Sequence, residues 1–121
     1  MTENKNVKQF DLEKRTRSFA LEVRNLIRSL PKTLSNIEDD KQVVRSSGSV
    51  GANYIEANEA LSKKDFIMRI KICRKEAKET TYWLSLLYTD DDPKAQEQVD
   101  MLKNESIELM KIFGSILKKC E

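Results

Sequence analysis

Histidine is missing altogether from this 121-residue chain, and only three Gly, two Pro and two Cys interrupt it. Without an imidazole, mechanisms that use His as base, nucleophile or metal ligand are excluded. Cys73 and Cys120 stand too far apart in sequence to form a metal or redox motif. Both thiols are expected to be reduced, in a cytoplasmic protein. The shortage of turn formers, with aromatics at 7%, argues against a β-sandwich. Apolar runs are short too. No segment approaches the ~20 residues that span a bilayer, and the N-terminus lacks the apolar stretch of a signal peptide, so no membrane contact is expected.

What remains is 35% charged and 39% hydrophobic, a balance suited to amphipathic helices with solvated outer faces. The length fits one domain, residues 1–121, with a single core. Charge alternates along the chain under a net +2. Residues 10–32 hold six basic and three acidic groups, residues 33–62 two and five, residues 63–88 seven and three, and residues 90–121 five and eight. Antiparallel neighbours in a bundle would then carry opposite signs.

Apolar spacing predicts four helices, over about 11–30, 35–61, 63–88 and 93–118. In the first, Leu12, Phe19, Val23, Leu26 and Leu30 form the core stripe and Pro31 the stop. Arg17, Arg24 and Arg28 lie on its outer face, a candidate phosphate contact that a solvated face explains equally well. Ser35 with Glu38 has the pattern of a capping box for the second helix, as Ser62 with Asp65 has for the third. Asp92 before Pro93 reads as the N-cap of the fourth. Its Asp90-Asp91-Asp92 run lacks the later ligands of a calcium loop.

Gln42 to Glu56 is the segment around which the rest is organised. It offers two stripes: Ile37, Val44, Gly48, Gly51 and Ile55, or Val43, Val50, Tyr54 and Leu61. One is available to the core and the other to a partner. Each Gly costs about 1 kcal/mol against Ala inside a helix, so a close helix neighbour is expected to offset it. A phosphate loop would need Gly-Lys-Ser/Thr where Gly51 is followed by Ala52 and Asn53.

In the third helix Phe66, Ile70, Cys73, Ala77, Thr80, Leu84 and Leu87 alternate spacings of four and three, the seam of a left-handed bundle. Trp83 falls off that seam and is a candidate interface anchor. Lys71, Arg74, Lys75 and Lys78, with Tyr82 one turn beyond, make the most nucleic-acid-like patch: cations for phosphates and an aromatic ring for an unpaired base. Val99, Leu102, Ser106, Leu109, Phe113 and Ile116 complete the core from the fourth helix.

Gln42-x-x-Arg45-Ser46, Ser49-x-Gly51-Ala52-Asn53-x-x-Glu56, Ser62-Lys63-Lys64-Asp65-Phe66 and Lys75-Glu76-Ala77-x-Glu79-x-x-x-Trp83-Leu84 occur in order. Together they resemble the bacterial "four helix bundle proteins", also called 23S ribosomal RNA intervening-sequence proteins, over nearly the whole chain. The resemblance implies an all-α, up-down four-helix bundle that assembles into a ring-like homopentamer. In some bacteria such proteins are encoded within insertions of the large ribosomal RNA gene. A similar bundle serves diversity-generating retroelements as a subunit that binds nucleic acid and a reverse transcriptase. Many relatives have Gly at the position of Ala57 and a second acidic residue at that of Thr81, whereas Arg45, Asn53, Glu56 and Glu79 match.

Two functional expectations stand side by side. One is a non-enzymatic oligomer associated with RNA or another nucleic acid, without cofactor or metal. The other is a protein-interaction scaffold or accessory subunit that touches no nucleic acid. Arg45, Asn53, Tyr54, Glu56, Glu79 and Trp83 are the expected subunit-interface or structural charge-pair residues. No residue set suggests a reaction.

Overall fold

The computed structural model describes residues 2–121, with side chains from Asp11 onward. Four helices follow one another: α1 Thr2–Ser29, α2 Leu34–Asn58, α3 Lys63–Ser85 and α4 Pro93–Lys119. Each packs its backbone on two neighbours, α1 on α2 and α4, and α3 on α2 and α4; across the diagonal no Cα pair of the described residues comes within 8 Å, and contact is made by long side chains such as Tyr54 and Phe113. These are the four helices that the periodicity predicts, in the all-α, up-down bundle that the resemblance implies.

The stripes of α1, α3 and α4 fall where the sequence placed them. Leu12, Phe19, Val23, Leu26 and Leu30 meet Ile70, Cys73, Ala77, Leu84, Val99, Leu102, Leu109 and Phe113 in one buried cluster. On α2 the core stripe is Val43, Val50 and Tyr54, continued by Ala57. Leu61 does not extend it: α2 ends at Asn58 and Leu61 is 100% exposed in the turn. The rival stripe is split: its ends Ile37 and Ile55 are exposed, while Gly48 and Gly51 between them lie against α1.

Gly48 and Gly51 adjoin α1, the close helix neighbour that their cost in propensity called for. A Cβ on Gly51 would stand 2.9 Å from Thr16 Oγ1 and 3.2 Å from Thr16 Cβ. Only a residue without a side chain lets the helices approach that far.

Hydroxyls also run through the interior. Thr80 donates to Ser46 Oγ at 2.8 Å or to the Glu76 carbonyl at 2.7 Å, and the Thr81 and Ser106 hydroxyls meet at 2.5 Å. Hydroxyls at core positions survive burial because each finds a hydrogen-bond partner.

The caps differ in one place from expectation. Ser62 accepts from the Asp65 amide and Asp92 from the Lys94 amide, as predicted. At α2, however, Thr33 is the cap, accepting from the Asn36 amide at 3.1 Å, and Ser35 lies inside the first turn. Asn36 explains the shift. Fully buried, it donates to the carbonyls of Pro31 and Tyr88 at 3.0 and 2.8 Å and accepts from the Tyr88 amide at 2.9 Å. The two loops at this end are thereby tied together, and the tie fixes where α2 begins. It also holds Tyr88 outside α3, which stops at Ser85.

Candidate functional site

Burying Ile70, Cys73, Ala77, Thr80 and Leu84 turns Lys71, Arg74, Lys75 and Lys78 of α3 to the opposite side. All four are exposed. With Met110 and Gly114 of α4 they line a shallow depression of about 550 Å³. No carboxylate lines it, and none of the four cations forms an ion pair among the described residues. Gly114 contributes an open floor: a Cβ there would find only Arg74 Cδ, at 3.9 Å.

A larger depression, of about 770 Å³ along the α1–α4 seam, has the opposite character. Asp11, Glu22, Glu105 and Glu108 border it beside Lys14 and Arg15. Arg15 is committed there to Glu105 through a fork of 2.7 and 2.8 Å. Sign of charge therefore separates these two grooves, and of the two it is the α3–α4 groove that offers cations without carboxylates to an anion.

Beside that groove lies a chain of oriented side chains. Arg45 of α2 bonds Glu76 Oε1 at 3.1 Å and also pairs with Glu79. Glu76, only 8% exposed, is the partner the sequence did not single out. It sits beside Ala77, between core residues Cys73 and Thr80, which is the signal that marked it as inward-facing. Glu79 Oε1 accepts in turn from Trp83 Nε1 at 3.2 Å. Trp83 meets Tyr82 edge-on, with ring centroids 5.1 Å apart and planes at 68°. Tyr82 remains 57% exposed.

The remaining expected site residues scatter. Arg17 and Arg28 are exposed on α1, diagonal to α3, and Arg28 bonds Asn25 Oδ1 at 2.9 Å. Arg24 bends back to the Ala20 carbonyl at 3.0 Å. The α1 arginines thus do not join the α3 cations in one surface. Asn53 bonds Ser49 and accepts from Arg69 Nη1 at 3.0 Å, which makes Arg69 a further partner missed in the sequence. Tyr54 belongs to the core of the single chain, 6.0 Å from the Phe113 ring, and not to its surface. Glu56 is exposed and has no ion pair among the described residues, so the pairing expected for it within the chain is not formed.

Cys73 is buried, donates to the Val50 carbonyl at 3.4 Å, and has its thiol pushed up to about 12 by burial. A thiol so disfavoured as thiolate is no nucleophile. Among the described residues no group of three or more Cys, Asp or Glu is placed to hold a metal ion. No helix among them is long and apolar enough to cross a membrane.

Residues 8–115 match the family model described as 23S rRNA-intervening sequence protein. The chain is also similar to the crystal structure of a protein with unknown function from the S23 ribosomal protein family of Bacteroides thetaiotaomicron VPI-5482. The two share 36% identity with a TM-score of 0.78, over 92% of this chain and 98% of the other. No curated protein matches the chain.

Proposed function

From the premise that the chain belongs to the 23S rRNA-intervening sequence protein family, we propose that it is a non-enzymatic, oligomeric bundle that holds RNA by its phosphates along the α3–α4 groove. The observation that carries this reading is the row Lys71, Arg74, Lys75 and Lys78 lining one depression without a carboxylate. Phosphate contacts of this kind release counterions and are independent of sequence.

Assembly into a homo-oligomer, a pentamer by the family resemblance, is supported by the unpartnered apolar side chains of α2 and α3. Ile37, Ile55, Met68 and Leu86 are all exposed, and exposed large apolar side chains are candidates for contact with another chain. A ring would repeat the cationic groove in every subunit, so weak contacts sum to avidity. The same exposed apolar side chains favour a second reading, a scaffold for a protein partner without nucleic acid.

Filter binding separates the two. Native protein and a variant with all four cations changed to Gln are titrated with RNA at low and physiological salt. Expected are affinity that falls steeply with salt, with a logarithmic slope of about −3 per subunit for four contacts at ~0.7 each on a single strand, and its loss in the variant. Absence of binding at low salt, or unchanged binding by the variant, overturns the RNA reading in favour of the scaffold. Light scattering tests assembly, and a monomeric mass at micromolar concentration overturns it.

A further inference from the structure

We infer that the α3–α4 groove selects unpaired strand over duplex, with Tyr82 as the platform on which one base stacks. This rests on the RNA reading above and adds a specificity to it. Tyr82 follows Lys71, Lys75 and Lys78 on the same outward stripe of α3, at spacings of four, three and four. It lies one helical turn, about 6 Å, beyond Lys78. A strand whose phosphates follow the cations therefore brings a base over the ring.

More than half of Tyr82 is exposed, yet its ring is not free to wander. Its edge-on partner Trp83 is anchored by Nε1 on Glu79, and Glu79 is held by Arg45. Arg45 is fixed a second time by the buried Glu76. Four residues that touch no ligand, Trp83, Glu79, Arg45 and Glu76, thus hold the platform in place, which lowers the ordering cost of stacking on it. Glu79 and Trp83 are positioning residues in this scheme.

Duplex RNA offers such a ring nothing. Its bases are already stacked on one another, and proteins meet it through backbone, 2′-hydroxyls and shape. An unpaired base presents a free π-face of any sequence. The cations attract both forms, and the ring distinguishes them.

The test uses fluorescence anisotropy with three probes of equal length: an unpaired RNA, a fully paired RNA duplex and an abasic strand that keeps the phosphates. Tyr82→Ala is expected to weaken unpaired RNA roughly 5- to 150-fold, the span of one base stacked on an aromatic side chain. Duplex and abasic binding should be unchanged, as should the salt slope. Tyr82→Phe keeps the platform and should bind as the native protein does. Glu79→Ala, which releases Trp83, should lower the preference for unpaired over paired RNA without changing abasic binding. Equal loss on all three probes, or no loss with Tyr82→Ala, overturns the inference while the phosphate reading survives. If the native protein binds none of the probes, both fall.

Discussion

Gly51 of α2 and Thr16 of α1 are in such close contact that a Cβ on the glycine would lie 2.9 Å from the threonine hydroxyl oxygen. Thr16 is buried and its hydroxyl is engaged by the Leu12 and Glu13 carbonyls at 2.9 and 3.0 Å, so it has no room to retreat. Gly51→Ala should therefore lower stability by about 1–3 kcal/mol from overpacking, against a propensity gain of about 1 kcal/mol.

Gly114 provides the opposite case. The space above it is open, so Gly114→Ala should raise stability by up to about 1 kcal/mol. Urea denaturation of the two variants beside the native protein measures both signs. A common sign would show that helix propensity alone governs these positions.

Removal of Arg45 should expose how far the fold depends on its fork. Glu76 keeps its buried carboxylate when Arg45→Ala deletes the cation, and the loss should be about 1–3 kcal/mol, the cost of an unsatisfied buried polar group. Adding Glu76→Gln should restore part of it, since a neutral amide is cheaper to bury than an ion. A double variant no more stable than Arg45→Ala would count against the carboxylate as the source of the cost.

The α2 stripe shows where the sequence was legible and where it was not. Core stripes of α1, α3 and α4 stand out as one sustained seam each, whereas α2 carries two short apolar stripes, Val43 and Val50 inward, Ile37 and Ile55 exposed. No periodicity decides between them. Thr16 and Ser46 were hidden for another reason: they occupy core positions as polar residues, and only their hydrogen-bond partners make that tolerable. The Asn36 clamp joins groups 52 positions apart, a distance at which local pattern says nothing. The cationic row of α3 was readable from helical spacing, but its floor of Met110 and Gly114 comes from another helix.

Asp40 should make stability depend on pH in an unusual direction. It is 9% exposed, and its Oδ1 has no hydrogen-bond partner among the described residues. Burial raises its pKa, with Asp39 adding to the rise and Lys32 opposing it. A raised folded-state value means that the protonated acid suits the fold. Its contribution is complete below the ordinary aspartate pKa of about 3.9 and is lost as pH rises through the folded value. Asp40→Asn should thus melt higher than the native protein at pH 7, with the difference shrinking on acidification. Thermal melts across that range check it, and a gain that grows towards low pH would contradict the sign.

The thiols should differ in reactivity. With Cys73 buried and its thiol pushed up to about 12, iodoacetamide at mildly alkaline pH should modify Cys120, which is partly exposed, and spare Cys73 until the protein unfolds. Mass spectrometry of the folded and urea-treated protein counts the additions. Rapid double modification under native conditions would show that the α2–α3 seam opens readily.

Three of the four helix seams join consecutive helices, and only the α1–α4 seam closes across the chain. Such a topology has a low mean sequence separation between touching residues, which places folding in the microsecond-to-millisecond range. The Arg15–Glu105 fork spans 90 positions and belongs to the seam that closes the longest loops, which carries the largest entropic cost. Consecutive hairpins are expected to dock before it, so substitutions at Arg15 or Glu105 should accelerate unfolding and leave the refolding rate nearly untouched.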